Sequence, residues 1–191
     1  EVFSAPAFTL SKSSENAVNN AAISGYTINT SGGRVTEYSV SPELPTGLSL
    51  DTTTGLISGS VAVDQAPTTY TITGTNVAGS DSHTFALAIY SAPSFTMSSQ
   101  TILGSRGSTL VGYTLTQSGG TVTSYSVSPS LPAGVSLDSS TGLISGLPTS
   151  PQAITTYTVS ASNVAGTSSQ TFSLEVFSAP AFTLSKSSEN A

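Results

Sequence analysis

The 191-residue chain has no Cys and no Trp, and only 7% of its residues are charged, against about 25% in an ordinary globular domain. Its net charge of -6 leaves Lys12, Arg34, Arg106 and Lys186 as the basic side chains, too few and too scattered to neutralise a phosphate backbone, which excludes nucleic acid as a partner. Disulfides and thiolate metal sites are excluded for want of Cys, and no apolar run approaches the roughly 20 residues that span a bilayer, so no direct membrane insertion is expected in this segment.

Ser and Thr make up about a third of the chain, yet 37% of residues are hydrophobic, enough to build a core. Along the first 90 residues, apolar side chains alternate with polar ones. Phe8 and Leu10, Tyr26 and Ile28, Tyr38 and Val40, Leu48 and Leu50, Tyr70 and Ile72, and Phe85, Leu87 and Ile89 each put two or three apolar groups on one face of an extended segment. This predicts about seven strands and no helix. Turn formers separate them at Ser31-Gly32-Gly33, Pro42 to Gly47, Asp51 to Gly55, Gly59 onward and Asn76 to Gly79.

The same pattern then returns. Ser4-Ala5-Pro6 recurs as Ser91-Ala92-Pro93 and as Ser178-Ala179-Pro180, a spacing of 87 residues each time (91 - 4 = 178 - 91 = 87). The two full copies align without a gap, and about half the aligned positions are identical; Thr54 to Gly59 returns unchanged as Thr141 to Gly146. Glu175 to Ala191 matches Glu1 to Ala17 residue for residue, although Lys12 to Ala22 differs completely from Ser99 to Thr109. The third copy thus restarts the first, which implies a unit of two alternating domains, 87 + 87 = 174 residues, in a longer array. The expected division is 1–3 as the end of a preceding repeat, 4–90 and 91–177 as two repeats, and 178–191 as the first strand of a third.

Seven short strands in 87 residues read as an all-β sandwich, here in tandem and end to end. The strand-like run Phe85 to Tyr90 leads directly into Ser91, Ala92 and Pro93, and Phe177 into Ser178, Ala179 and Pro180, so about three residues serve as linker. Tyr90 and Phe177 are expected to pack between successive domains. With strands of eight to ten residues, the array should advance on the order of 30 to 40 Å per domain as a stiff or semi-stiff rod.

The run Leu44 to Asp51 with Thr54 to Gly59, followed by Tyr70 to Thr73 and Asn76 to Ser80, resembles the immunoglobulin-like repeats of bacterial surface proteins and their cadherin-like relatives. Leu131 to Asp138, Thr141 to Gly146 and Tyr157 to Gly166 carry the resemblance in the second copy. It implies long secreted or cell-surface proteins, often adhesins, in which such repeats space a distal binding module from the cell. Many cadherin-like repeats hold calcium at their junctions. The junctions here carry no acidic motif, and hard cations need six or more oxygens, so no metal or other cofactor is expected.

Two copies supply an internal control on chemistry, because a catalytic group inherent to the repeat should stand in both. His83 aligns with Gln170, Glu15, Glu37 and Glu43 with Ile102, Ser124 and Ser130, and Asp64 and Asp81 with Pro151 and Ser168. No shared carboxylate pair remains, His83 reads as a solvated surface group, and no catalytic residue is assigned. Asp51 and Asp138, the acids common to both full copies, lie four residues before Gly55 and Gly142 and read as turn residues. Lys12 could staple a sandwich through a Lys–Asn amide bond in alternate domains at most, since the second copy has no Lys. Saccharide binding is disfavoured, because the Tyr and Phe residues fall mostly on faces expected to be buried.

The sequence therefore predicts a non-catalytic stalk or spacer segment of an extracellular or cell-surface protein, in contact with neighbouring repeats of its own chain. The alternative is an interaction module, in which Lys12 to Ala22 binds identical chains or a cell-surface receptor and directs adhesion or assembly into a filament.

Overall fold

A computed structural model describes residues 3–178 and Pro180. The described residues form strands and turns without a helix. In the first copy the strands are β1 (Phe8–Leu10), β2 (Ser14–Val18), β3 (Ile28–Thr30), β4 (Glu37–Ser41), β5 (Leu48–Leu50), β6 (Ile57–Gly59), β7 (Gln65–Asn76) and β8 (Gly79–Tyr90). One sheet has the order β2-β8-β7-β4, and the facing layer holds the pairs β1-β3 and β5-β6. An isolated bridge between Ala22 and Ser60 and the bond from Ile23 N to Gly59 O join the chain before β3 to β6. Counting β1 and β2 as two halves of one strand that switches sheets, the sandwich has the seven strands expected.

The second copy repeats this plan with β9 (Phe95–Met97), β10 (Thr101–Ser105), β11 (Leu110–Val111), β12 (Leu115–Gln117), β13 (Ser124–Ser128), β14 (Val135–Leu137), β15 (Ile144–Gly146), β16 (Gln152–Asn163) and β17 (Gly166–Phe177). Its sheets have the orders β10-β17-β16-β13, β11-β15-β14 and β12-β9. Strand lengths differ from the eight to ten residues used to estimate the advance per domain. Each copy instead combines one hairpin of two 12-residue strands with strands of two to five residues.

The chain divides into two compact units at Pro93/Ser94, with Gly119–Thr121 and Asn163–Gly166 grouped with the first. Those short segments hold Ser91 and Ala92: Asn163 Nδ2 donates to Ser91 O (2.8 Å) and Gly120 N to Ala92 O (2.9 Å). They repeat the bonds of Asn76 Nδ2 to Ser4 O (2.8 Å) and Gly33 N to Ala5 O (2.8 Å).

Each unit has its own core, as the alternation predicts. Phe8, Tyr26, Tyr38, Ile57, Val61, Tyr70, Ile72, Phe85, Leu87 and Ile89 fill the first, and Phe95, Ile102, Leu110, Tyr113, Tyr125, Ile144, Tyr157, Val159, Phe172, Leu174 and Val176 the second. Phe8 meets Tyr38 edge-on at 5.6 Å between centroids, and Phe95 meets Tyr125 at 6.1 Å. Where β5 begins and β6 ends, the main chain approaches itself so closely that only Gly fits. A Cβ on Gly47 (φ +102°) would overlap Ser60 O, and one on Gly59 (φ +120°) would overlap Gly47 O. Gly134 and Gly146 make the same contact in the second unit.

The cores differ in one polar detail. Tyr26 Oη donates to Gly55 O at 2.8 Å, whereas the equally buried Tyr113 Oη has no partner among the described residues. Burial pushes both phenols well above their ordinary range. An orphaned hydroxyl in a core costs about 1 to 3 kcal/mol, so the two tyrosines should respond differently to removal of their oxygens. Tyr26→Phe should lower unfolding free energy by about 1 kcal/mol, while Tyr113→Phe should leave it unchanged or raise it. Urea titration of the two variants checks this, and equal losses would contradict it.

Candidate functional site

The turn after β5 is built by one carboxylate. Asp51 Oδ1 accepts from Thr53 N (2.8 Å) and Thr54 N (3.1 Å), and Gly55 N donates back to Asp51 O (2.7 Å). Gly55 takes φ +72°, and a Cβ there would overlap Ile28 Cδ1 and the Tyr38 ring. Asp138 makes the matching bonds from Ser140 N (2.8 Å) and Thr141 N (3.1 Å), with Gly142 at φ +72°. These backbone donors hold both carboxyls below their usual range, an effect of the turn itself and of no second titratable group.

Asn76 and Asn163, read from sequence as turn residues, do more than close the hairpins. Asn76 Oδ1 accepts from Ala78 N (2.8 Å), while its Nδ2 reaches Ser4 O and Arg34 O (3.0 Å). Asn163 does the same toward Ala165 N, Ser91 O and Thr121 O.

His83 departs from the solvated group expected. Its ring stands against Phe8, 4.8 Å between centroids, and its Nε2 lies 3.4 Å from Asp81 Oδ2. That oxygen accepts from Phe8 N at 2.9 Å, the first cause of a lowered Asp81 pKa. The pair therefore pins β1 to β8. In the second unit Gln170 takes this place and donates from Nε2 to Phe95 O at 3.4 Å.

Lys12 Nζ bonds Glu15 Oε2 (2.8 Å) and Ser24 Oγ (2.7 Å), with no Asn among these partners. Burial pushes the Glu15 carboxyl up, but the bonds from Lys12 and Ser24 together outweigh it and the net shift is downward. The segment Lys12 to Ala22, which differs completely from its counterpart in the second copy, is thus partly a strand, β2.

At the first junction, Tyr90 ends β8 opposite Val18 and is half-buried. Ser91 Oγ donates to Asp64 Oδ1 at 2.6 Å and accepts from Asn19 Nδ2 at 2.9 Å; Ala92 is exposed and Pro93 buried. At the second, Phe177 is 46% exposed, its carbonyl accepts from Arg106 N (2.9 Å), and Ser178 and Pro180 are exposed. Ala179, and the strand expected in 178–191 beyond Pro180, lie outside the described residues. Sequence reading passed over Asn19, Asp64 and Asp81 as binding groups, since each acts across 27 or more residues.

A cavity of about 320 Å³ opens among Phe3, Ser4, Gly33, Arg34, Thr36, Asn76 and Val77. It offers a guanidinium, an amide and hydroxyls, without an acid, a base or an activated nucleophile. Among the described residues no three His, Cys, Asp or Glu side chains gather as a metal site.

The family described as "Putative Ig domain" matches residues 2–90 and again 92–177. No curated protein matches. Among solved structures, extracellular domains 3–5 of Drosophila OTK are similar with a TM-score of 0.66 and 17% identity, covering 90% of this chain and 62% of that one. Sidekick-1 immunoglobulin domains 1–4 give 0.63 and 15%, covering 93% and 50%, and the titin fragment I67–I69 gives 0.61 and 18%, covering 91% and 66%. The chain thus spans between half and two thirds of these fragments, and at such identities the likeness is one of fold.

The turn carboxylates set an acid response. Their folded pKa values are depressed, so the stability they contribute is present above the unfolded pKa near 3.8 and is lost as pH falls through the folded values. Melting temperature should fall between about pH 5 and about pH 2, and Asp51→Ala with Asp138→Ala should flatten that fall. Thermal scans across the range would refute the assignment if the double variant kept the full pH slope.

Proposed function

The chain belongs to the Putative Ig domain family in two tandem copies, and on that premise we propose that it is a non-catalytic, load-bearing spacer in the stalk of an extracellular or cell-surface protein. The carrying observation is the parallel pairing of the first and last strands of each unit. β2 runs beside the end of β8 from Ser14↔Ala86 to Val18↔Tyr90, and β10 beside β17 from Thr101↔Ser173 to Ser105↔Phe177. Tension applied at the two chain ends pulls such strands in opposite directions along their length. The interstrand bonds are then loaded together in shear instead of one after another. A site that only binds a ligand has no need of this arrangement in both copies. The absence of a shared catalytic constellation between copies supports the non-enzymatic reading.

Pulling single molecules tests the proposal. Two cooperative rupture events are expected, each releasing a contour length on the order of 300 Å, since an unfolded residue extends about 3.6 Å. Asn19 N donates to Tyr90 O, and strand alternation turns Ala17 N to the same side. Ala17→Pro should therefore weaken the rupture of the first unit and spare the second. Rupture at low force in both, or no effect of the proline, would sink the stalk reading.

A second reading, lateral association of identical chains, draws on one observation. Leu103, Val111, Leu147 and Ile154 are 53–84% exposed in the second unit, where the first has Asn16, Ser24, Ser60 and Pro67. Sedimentation across a concentration series decides it: self-association lost in Leu103→Asn with Val111→Ser favours this reading, and a monomer throughout excludes it.

A further inference from the structure

We propose that Ser91 is a tether that fixes the chain where it leaves the first unit, and that the corresponding serine of the second unit, Ser178, lacks its carboxylate partner, so that joints with and without this tether alternate along the repeating array. The geometry is specific. Ser91 lies one residue past β8, yet its hydroxyl is bound on both sides, donating to Asp64 Oδ1 at 2.6 Å and accepting from Asn19 Nδ2 at 2.9 Å. Its carbonyl is engaged as well, by Asn163 Nδ2 at 2.8 Å. A hydroxyl that both gives to a carboxylate and takes from an amide has spent its donor and one of its acceptor positions in one orientation, which removes the rotamer freedom of the linker's first residue.

The internal alignment then shows what the second unit lacks. Positions 19 and 64 of the first copy correspond to 106 and 151 of the second, since 19 + 87 = 106 and 64 + 87 = 151, and these are Arg106 and Pro151. Proline has no side-chain acceptor for a serine proton, and a guanidinium, which can donate to the hydroxyl as Asn19 does, cannot take that proton in its place. The main-chain bond at this corner survives the change: Asn19 N to Tyr90 O and Arg106 N to Phe177 O are both 2.9 Å. What is lost is the carboxylate that takes the serine proton. The last 17 residues (191 - 174 = 17) repeat the first 17, so Ser178 occupies the place of Ser4, the serine that opens every first-type domain. The consequence for a stalk rests on the spacer reading above; the tether itself does not.

Backbone amide relaxation of the uniformly ¹⁵N-labelled chain tests it directly. The Ser91 amide should be as ordered as the strands, with an order parameter of about 0.85, and in Ser91→Ala and Asp64→Ala it should fall toward about 0.6 while the amides of β7 and β8 keep their shifts. The converse variant, Arg106→Asn with Pro151→Asp, should raise order at the Ser178 amide. An unchanged Ser91 amide in both single variants, or a Ser178 amide no more ordered in the double variant, overturns the assignment. Because these readouts concern the linker alone, weak rupture under load with a tethered Ser91 would remove the stalk reading and leave the tether standing.

Discussion

Tyr70, Ile72, Phe85, Leu87 and Ile89, the inward side chains of the β7–β8 hairpin, are each 2% exposed or less, and so are Tyr157, Val159, Phe172, Leu174 and Val176 of β16–β17. At about 1.5 to 3 kcal/mol for each large apolar side chain removed from water, these two ribbons are the main source of cohesion in a chain with so few ions. The shorter strands of the facing layer lay apolar groups such as Phe8 and Ile57, or Phe95 and Ile144, into the cores these ribbons line. The outward faces of the same ribbons are hydroxylic: Thr73 and Ser82 bond across the hairpin at 2.9 Å, and Ser160 and Ser169 at 2.8 Å. The exposed faces thus present groups that hydrogen-bond to water and to one another without charge, which leaves the period-two pattern almost undisturbed.

What the two units share, beyond their cores, is backbone-holding chemistry. Asp51 and Asp138, Asn76 and Asn163, and the Gly47–Gly59 and Gly134–Gly146 approaches recur with matching bonds. Side-chain contacts at the strand edges are more variable, although Gln65–Tyr70 recurs as Gln152–Tyr157. The Asp81–His83 pair beside Phe8 becomes Gln170 beside Phe95, and Lys12–Glu15 becomes Ser99 and Ile102. A turn has one solution when the main chain must bend at a fixed point, whereas an edge can be secured in several ways. This difference is also why the internal comparison is informative about chemistry: a reactive group would have to behave like the turns and be kept.

The strands that the sequence displayed are those whose side chains alternate, with Tyr38 and Val40 in β4 or Phe85, Leu87 and Ile89 in β8 as plain instances. β2 was hidden. Ser14-Glu15-Asn16-Ala17-Val18 buries only Ala17, and its place is set by main-chain pairing with residues 72 positions away. β6 was hidden for another reason, since Ile57-Ser58-Gly59 is three residues long, ends on a glycine and lies just after the Asp51 to Gly55 turn, too short to show alternation. The anchoring of Ser91 had no local signal at all: Asn19 and Asp64 meet it across 72 and 27 residues. Its trace in the sequence is comparative, the joint replacement of Asn19 and Asp64 by Arg106 and Pro151 at equivalent places.

β2 illustrates how stability and resistance to force can be lodged in different parts of one sandwich. It buries little, so it adds little to the free energy of unfolding, which the hairpin dominates. Yet a pull on the chain ends reaches β2 and β8 before it reaches the hairpin's core, and their parallel register makes all their bonds resist together. The second unit reinforces the same strand by other physics: β10 buries Ile102 at 3% exposure, where β2 presents Glu15, held by Lys12 at 2.8 Å. An ion pair with Lys12 35% exposed is weakened by salt, and an apolar contact is not. Two units of one fold, differing at the strand that a pull on the chain ends would load, would then answer ionic strength differently while keeping nearly the same core.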